Sequence, residues 1–365
     1  MTHDRLLRDR AAVAGLVRRI ADAAARLGRP ATYMEVCGTH THAVAAAGLR
    51  RMLPDGIRLV SGPGCPVCVT PVGYLDRALA LATRPGTVLC TFGDLMRVPS
   101  STVTLEQARA EGRDVRIVYS PRDALAIAQA TGQEVVFLAV GFETTTPTIA
   151  AALAEAEASG IPNFQILPGS KLVPPALLAL VDDPDLEVHG FLLPGHVSVL
   201  TGWEAFRFLA EEHDVPGAVV GFAPTDILRG VLELLEQNAG GRCAIVNLYG
   251  TVVSPQGNPT AAALVERFFA PADDSWRGFG EIPHSGLALR PEWAHRDASR
   301  IPVVLPPPRE PAGCRCGEVL RGVIDPPECP LFDASCSPAT PVGACMVSSE
   351  GTCSAWFRQE RWGSA

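Results

Sequence analysis

The feature that most constrains the fold is a repeated alternation of short β-branched runs with longer amphipathic stretches, from residue 32 to about residue 250. Strands that alternate with helices favour parallel sheets covered on both faces. The runs predict nine strands, at Thr32–Val36, Ile57–Val60, Thr87–Thr91, Val115–Tyr119, Glu134–Val140, Phe164–Leu167, Val188–Leu193, Ala218–Phe222 and Ala244–Leu248. Helical periodicity falls between them, at Gly73–Ala82, Ala124–Ala130, Pro147–Ala158 and Thr225–Asn238.

Nine strands are more than one sheet of usual size holds, so we predict an α/β fold with two Rossmann-like parallel-sheet domains facing a cleft. The expected domains are 1–160 and 161–270. After Pro271 the alternation stops, and proline, glycine and cysteine become frequent. We therefore expect a third, cysteine-rich iron–sulfur domain at 271–365, which suits a chain of 365 residues.

Composition excludes several classes of function. A net charge of -8 offers no basic surface for nucleic acid. No apolar run approaches the ~20 residues of a membrane span, and the start lacks the apolar core of a signal peptide. We therefore expect a cytoplasmic protein without membrane contact. Eleven cysteines in a reducing compartment indicate metal binding or redox chemistry more than a disulfide framework.

Polar, glycine-containing turns follow four of the predicted strands. They begin at Cys37-Gly-Thr-His40, Gly62-Pro-Gly-Cys65-Pro-Val-Cys68, Gly141-Phe-Glu143 and Pro194-Gly-His196. Ligands of open parallel sheets bind beyond the carboxyl ends of the strands. We expect these turns to line one cleft between the two α/β domains.

The first two turns carry thiols suited to soft metals. The Cys65/Cys68 pair has a spacing used by redox dithiols and by zinc ligands alike, and an inert buried pair is the third alternative. Cys37 lies where a strand meets a helix, so we expect the positive helix end to favour its thiolate. A thiolate beside the imidazole of His40 suits iron, copper or zinc, although the two side chains could also serve only packing and capping.

The other strand-end residues have structural alternatives. Glu143 precedes three threonines that could simply cap the next helix. His196 could be an ordinary turn histidine. Cys90 and Cys243 fall in apolar strand patterns and are interpreted as packed thiols.

The C-terminal segment carries six cysteines within forty residues. They are Cys314, Cys316, Cys329, Cys336, Cys345 and Cys353. One cubane iron–sulfur cluster needs four thiolates, so two would remain as a possible redox dithiol. Two zinc sites are the main alternative.

Taken in order, the four turns and the segment Gly343-Ala-Cys345-Met-Val-Ser-Ser-Glu-Gly351-Thr-Cys353 closely resemble the hydrogenase formation factor HypD family. The resemblance spans nearly the whole chain. It implies a scaffold on which the Fe(CN)2CO fragment of [NiFe]-hydrogenase is assembled. The implied partners are the chaperone HypC, the cyanide donor HypE with HypF upstream, and indirectly the hydrogenase large subunit.

The resemblance also implies roles for residues. Cys37 and His40 would belong to the iron site, with Cys65 and Cys68 in that site or beside it, and Glu143 and His196 would serve the same chemistry. The family spacing C-x14-C-x6-C-x16-C assigns a [4Fe-4S] cluster to Cys314, Cys329, Cys336 and Cys353. Cys316 and Cys345 would then be a thiol pair that passes electrons toward Cys65 and Cys68. A freestanding iron–sulfur-dependent thiol–disulfide oxidoreductase is the alternative function.

Overall fold

The computed structural model describes residues 3–360. Its strands are β1 (Ala31–Glu35), β2 (Ile57–Ser61), β3 (Thr87–Thr91), β4 (Val115–Ile117), β5 (Glu134–Gly141), β6 (Phe164–Ser170), β7 (Phe191–Pro194), β8 (Gly217–Val220), β9 (Ile245–Asn247), β10 (Phe269–Trp276) and β11 (Gly280–Leu289). Its α-helices are α1 (His3–Leu27), α2 (Gly38–Ala46), α3 (Pro66–Val69), α4 (Val72–Ala82), α5 (Leu105–Ala110), α6 (Pro121–Thr131), α7 (Thr146–Ala158), α8 (Val173–Val181), α9 (Gly195–Thr201), α10 (Arg207–Glu211), α11 (Pro224–Ala239), α12 (Pro259–Phe268), α13 (Cys316–Leu320) and α14 (Thr352–Gln359). Short 3-10 turns cover Leu49–Met52, Gly93–Arg97, Glu204–Phe206, Pro291–Arg296, Ala298–Arg300, Pro326–Glu328 and Ala344–Met346.

The strands form two parallel sheets and one antiparallel hairpin. The first sheet has the order β2-β1-β7-β8-β9, and the second has the order β4-β3-β5-β6. Strands β10 and β11 form a two-stranded antiparallel hairpin, and β11 is linked to the end of β6 by one bridge between Gly286 and Lys171. The predicted α/β class with two parallel sheets is therefore confirmed, and a cysteine-rich segment follows the sheets.

All nine predicted strands are present, but the hairpin was not predicted. Strand β10 contains Pro271, Asp273 and Asp274 in place of β-branched residues, so its composition gives no strand signal. Only Phe269 and Trp276, at its two ends, are buried. The strand is held by pairing with β11 rather than by local preference.

The domain boundaries expected from the sequence do not follow the sheets. A division at residue 160 would separate β5 from β6, which pair along their length. A division at residue 270 would fall inside β10. The first sheet instead combines β1 and β2 with β7, β8 and β9, so the chain leaves it after Ser61 and returns at Phe191. Neighbouring strands in sequence usually pair, and the prediction could not detect this long excursion.

Each sheet has one point where the strand order reverses. In the first sheet it lies between β1 and β7, and in the second it lies between β3 and β5. Such reversal points open a crevice at the carboxyl ends of the strands. Cys37 and His196 follow the two strands at the first point, and Glu143 follows β5 at the second.

The C-terminal segment folds back onto the first sheet. Helix α14 packs against α2, and α3 packs against the turn Ala344–Met346. Arg50 ties the two regions together, because it donates to Glu360 and, at 2.7 Å, to Ser61 Oγ at the end of β2. No helix within residues 3–360 is long and apolar enough to cross a membrane.

Candidate metal and thiol site

The pairing of β1 with β2 brings the first two predicted turns together. Glu35 lies beside Ser61 in the parallel register, so β1 and β2 end at the same edge of the sheet. The Gly38 N–H donates to the Gly64 carbonyl oxygen at 2.8 Å. A Cβ built on Gly64 would lie 2.5 Å from the Cα of Cys37, so only glycine allows this approach. The Cys37 backbone therefore lies directly against the loop that leads into Cys65.

Cys37 is the N-cap residue of α2 and is buried. Its N–H donates at 3.1 Å to Oε2 of Glu35, a fully buried carboxyl that also accepts from Thr41. Burial raises the pKa of the Cys37 thiol to about 12, and the N–H group of His40 opposes this only in part. The end of α2 favours the thiolate as expected, but desolvation outweighs it, so the predicted activation of Cys37 is not seen.

His40 is fully buried three residues along the same helix. Its Nε2 lies 3.0 Å from the Gly221 carbonyl oxygen, which can only accept, so Nε2 carries the proton. Burial lowers the pKa of His40 to about 4, so the ring is neutral. Its Nδ1 is buried without a hydrogen-bond partner. A neutral imidazole with one nitrogen held by a carbonyl and the other unpaired has the form of a metal ligand.

His196 joins this group through an aromatic ring. Phe222 follows β8, and its ring stacks on His196 with centroids 4.0 Å apart. The same ring contacts His40 at 4.9 Å. His196 is exposed whereas His40 is buried. The structure thus places both predicted histidines on one aromatic side chain, with His196 on the solvent side.

Cys65 and Cys68 form a disulfide. Cys65 is the N-cap of α3, and its sulfur accepts from the Cys68 N–H at 3.3 Å. Both residues are buried, Cys65 with 3% and Cys68 with 0% exposure. A disulfide is the oxidised form of a redox pair, and in this form the sulfurs are not thiolate ligands for zinc.

The C-terminal cysteines gather around Gly343. A Cβ on Gly343 would meet Cys314 Sγ at 2.6 Å and Cys316 Sγ at 3.9 Å. The sulfurs of Cys316 and Cys345 lie 2.6 Å apart. Burial raises the pKa of Cys345, and hydrogen bonds with Cys316 and Cys353 raise it further. These four thiols form one connected group.

The remaining two cysteines belong to the same group. Cys336 Sγ accepts from the Val342 N–H at 3.3 Å. A hydrogen bond from Cys345 lowers the pKa of Cys353, but burial and the charges of Cys316, Cys336 and Cys329 outweigh it, so the pKa is raised. All six C-terminal thiols therefore lie within electrostatic reach of one another.

The six thiols are not gathered around one metal ion. Within residues 3–360 no three His, Cys, Asp or Glu side chains are arranged to hold a single metal. A cubane cluster spreads its four thiolate ligands over a larger body than one ion, and soft thiolates are the donors it uses. The donor set therefore fits an iron–sulfur cluster by its chemistry and by its gathering at one place.

The C-terminal thiols lie next to the disulfide of α3. Cys68 Sγ is 4.0 Å from the carbonyl oxygen of Ala344, the neighbour of Cys345. The whole of α3 packs against the turn Ala344–Met346. The predicted relay pair and the predicted dithiol are thus brought to adjoining turns, although 276 residues separate Cys68 from Ala344.

Glu143 lies at the second reversal point and lines a cavity of about 440 Å³ that also reaches Thr201 of α9. Its Oε1 accepts from the Val173 N–H at 2.8 Å, whereas its Oε2 is buried without a partner. Burial raises the pKa of this carboxyl to about 7. The alternative role of the threonines receives no support, because Thr145, the N-cap of α7, makes no side-chain capping bond.

Three residues near Cys37 were not predicted. Glu35 and Phe222 fall within predicted strands, and the signal was a charged residue inside an apolar strand and an aromatic residue at a strand end. Glu350 accepts from Thr39 Oγ1 at 3.0 Å and lies against Gly38. It belongs to the C-terminal segment that carries the resemblance, but only the folded chain places it at α2.

Comparison with known proteins gives the family of the chain. A family model named HypD, described as the hydrogenase formation hypA family, matches residues 11–360. The chain belongs to the HypD family. It is 46% identical over 340 residues to the hydrogenase maturation factor HypD of Rhizobium leguminosarum bv. viciae, covering 90% of this chain and 88% of the relative.

Two further relatives give the same result. The hydrogenase maturation factor HypD of Rhodobacter capsulatus is 43% identical over 362 residues, which cover 96% of each chain. The protein of that name from Escherichia coli K12 is 44% identical over 335 residues, covering 90% of this chain and 89% of its own. Family membership supports a role in hydrogenase maturation.

Proposed function

We propose that this chain is a hydrogenase maturation scaffold that holds the iron of the Fe(CN)2CO fragment during its assembly. The observation that carries the proposal is the buried, unpaired Nδ1 of His40, three residues from the Cys37 thiol. Both residues lie at the reversal point of the first sheet, where α/β proteins bind their ligands. An imidazole nitrogen and a thiolate together suit iron.

The residues around this pair have definable tasks. Gly221 fixes the His40 tautomer by accepting from Nε2, so that the Nδ1 lone pair stays free. Glu35 accepts from the Cys37 N–H and from Thr41, which holds the first turn of α2 in place. His196 covers the outer face of Phe222 and would meet groups that approach from solvent. Cys65 and Cys68 would add thiolates or electrons from the neighbouring loop.

The C-terminal thiols are proposed to hold a [4Fe-4S] cluster through Cys314, Cys329, Cys336 and Cys353. The contact of 2.6 Å between the sulfurs of Cys316 and Cys345 supports this division, because it joins the two cysteines that the family spacing leaves over. When bound, such a cluster supplies electrons one at a time. Attaching π-acid ligands requires electron-rich iron, which gives the electrons a use.

A thiol relay would carry two electrons from the C-terminal pair to α3. Cys345 is a thiol before the exchange, and it loses its proton as its sulfur attacks Cys68 Sγ and displaces the Cys65 thiolate, which takes that proton up. The Cys316 thiolate then attacks Cys345 Sγ and displaces the Cys68 thiolate, which is also protonated. The result is a Cys316–Cys345 disulfide and a Cys65/Cys68 dithiol. The packing of α3 on the turn Ala344–Met346 supports transfer between these two pairs, because it brings them to adjoining turns.

The alternative, a freestanding thiol–disulfide oxidoreductase, needs a sulfur that other proteins can reach. Cys68 has 0% and Cys65 3% exposure, so neither presents such a surface. Buried sulfurs are instead suited to thiol–disulfide exchange with other sulfurs of the same chain. The partners HypC, HypE and HypF and the hydrogenase large subunit are proposed from family membership.

The test is infrared spectroscopy of the chain co-produced with its proposed partners, since iron-bound cyanide and carbonyl absorb where protein does not. We expect Cys37→Ala and His40→Ala each to lose these bands and to abolish maturation. Cys90→Ala is the matched control, because Cys90 is a buried thiol within β3. Bands at full strength in Cys37→Ala would overturn the proposal and favour the oxidoreductase.

A further inference from the structure

A cavity of about 500 Å³ opens beside the residues that join α3 to α4. Its walls come from the start of α4, the end of β6, the hairpin of β10 and β11, and the segment near Glu310. Three cationic side chains line it, Arg77, Lys171 and Arg277. Its size is that of a small-molecule site. The iron and thiol steps proposed above do not pass through this cavity, although hydrogen bonds from Cys314 and Cys345, together with the charge of Arg277, lower the pKa of Cys316.

The first turn of α4 faces the cavity with Val72 and Gly73. This helix has eleven residues, and its N-cap residue Pro71 makes no side-chain capping bond. The first N–H groups of a helix have no partner within it, and the helix end carries partial positive charge. An uncapped helix start of this kind attracts an anion.

Arg277 provides the second, independent observation. It is 4% exposed, and its Nε donates to the Thr70 carbonyl oxygen at 3.0 Å. Nη1 donates to the Glu310 carboxylate. Nη2 is buried and has no hydrogen-bond partner. A buried guanidinium nitrogen without an acceptor is costly, so a group that could accept from it would be held firmly.

The charges of the lining residues leave a positive excess. Lys171 is neutralised by Asp274, with Nζ 2.7 Å from Oδ2. Glu310, with a side chain 56% exposed, neutralises only one edge of Arg277. Arg77 donates to the Ser299 carbonyl oxygen, which carries no formal charge. Among the residues described, Arg77 thus has no carboxylate partner in the cavity, and Nη2 of Arg277 makes no hydrogen bond.

We propose that this cavity binds a small molecule through an oxyanion group, either a phosphate or a carboxylate. The oxyanion accepts from the first turn of α4, from Arg77 and from Arg277. In the free protein, the carboxylate of Glu310 occupies part of the position that the oxyanion takes, and it moves aside when the oxyanion binds. Glu310 is suited to that movement, because it is half exposed and lies in a segment without helix or strand.

The test is isothermal titration of the full chain with inorganic phosphate and with acetate, at equal ionic strength set by sodium chloride. We expect saturable binding of one or both anions, and the tighter one identifies the class of ligand. Arg77→Gln should weaken binding by ~10-fold or more, as expected for a lost charged hydrogen bond. Glu310→Gln should tighten it, because an internal competitor is lost.

Arg84→Gln is the matched control, since Arg84 is exposed just beyond the end of α4. Its affinity should equal that of the unchanged chain. Arg77 is only half buried, so its substitution leaves the core intact. Absence of saturable binding with both anions would overturn the proposal. Equal affinity in Arg77→Gln and the unchanged chain would overturn it as well. Neither result bears on iron binding at His40.

Discussion

Replacing Gly64 by alanine should show whether the Cys37 backbone must lie directly against the loop before Cys65. The new Cβ would lie 2.5 Å from the Cα of Cys37 and 2.6 Å from its carbonyl carbon. Both neighbours are backbone atoms, so a side-chain rotation cannot relieve the contact. The backbone segments at Cys37 and Gly64 would have to move apart, and this would strain the 2.8 Å hydrogen bond from the Gly38 N–H to the Gly64 carbonyl oxygen.

Overpacking of this kind costs about 1–3 kcal/mol, and we expect the upper part of that range because only backbone movement can relieve it. The free energy of unfolding, measured by urea denaturation, should fall by roughly this amount. Infrared bands of iron-bound cyanide and carbonyl should weaken or vanish, because Cys37 moves relative to His40.

Gly15→Ala is the control for this substitution. Gly15 lies inside α1, and a Cβ there meets nothing within 4 Å. That variant should gain ~0.5–1 kcal/mol through helix preference and keep its bands. An unchanged unfolding midpoint together with full bands in Gly64→Ala would refute the close approach of the two loops.

The double change of Cys316 and Cys345 to alanine should keep the visible absorption and iron content of the cluster and stop maturation; loss of iron in the double variant would make one of the two a ligand. Cys329→Ala or Cys336→Ala should bleach that absorption, whereas stoichiometric zinc in anaerobically purified protein would refute the cluster. Burial raises the pKa of Glu143 from 4.5 to about 7, so the folded chain holds this proton more tightly than the unfolded chain. The stability that this gives at low pH should be lost as the pH rises from 4.5 to about 7, by roughly 3 kcal/mol in total. Urea midpoints of Glu143→Gln should lack this loss between pH 5 and 8, and parallel pH profiles for variant and unchanged chain would contradict it.

The rule that ligands bind beyond the carboxyl ends of parallel strands predicted from the sequence that the turns at Cys37 and Cys65 would lie together. It worked there because the two strands concerned are neighbours. Cys37 and Cys65 follow strands that are adjacent both in the chain and in the sheet. Their turns can therefore be placed together without knowledge of any long-range strand pairing. The pairing of β1 with β7 depends on residues more than 150 positions apart, and periodicity does not encode it. The domain boundaries predicted at residues 160 and 270 stay a prediction, but they do not follow the strand pairing, which periodicity cannot show.

Burial was less predictable than position. The helix end beside Cys37 could be seen in the sequence, but the enclosing residues Glu35 and Glu350 could not, and enclosure decides the pKa of the thiol. Cys243 was interpreted as a packed thiol and is exposed, because it lies just before the short strand β9 and not inside it. Cys90, inside β3, is buried as expected.

The burial of the thiols limits how electrons can reach the proposed iron site. Cys65, Cys68, Cys316 and Cys345 are each at most 5% exposed, so a soluble dithiol protein cannot reach these sulfurs without opening the fold. In the proposed relay, electrons would then enter through a group that needs no contact with a sulfur, and an iron–sulfur cluster passes single electrons in this way. The proposed thiol pair beside it would convert single electrons into the two-electron exchange that a disulfide requires. A chain built for thiol exchange with other proteins would have no use for this arrangement, whereas a scaffold that keeps iron reduced while its ligands are attached would depend on it.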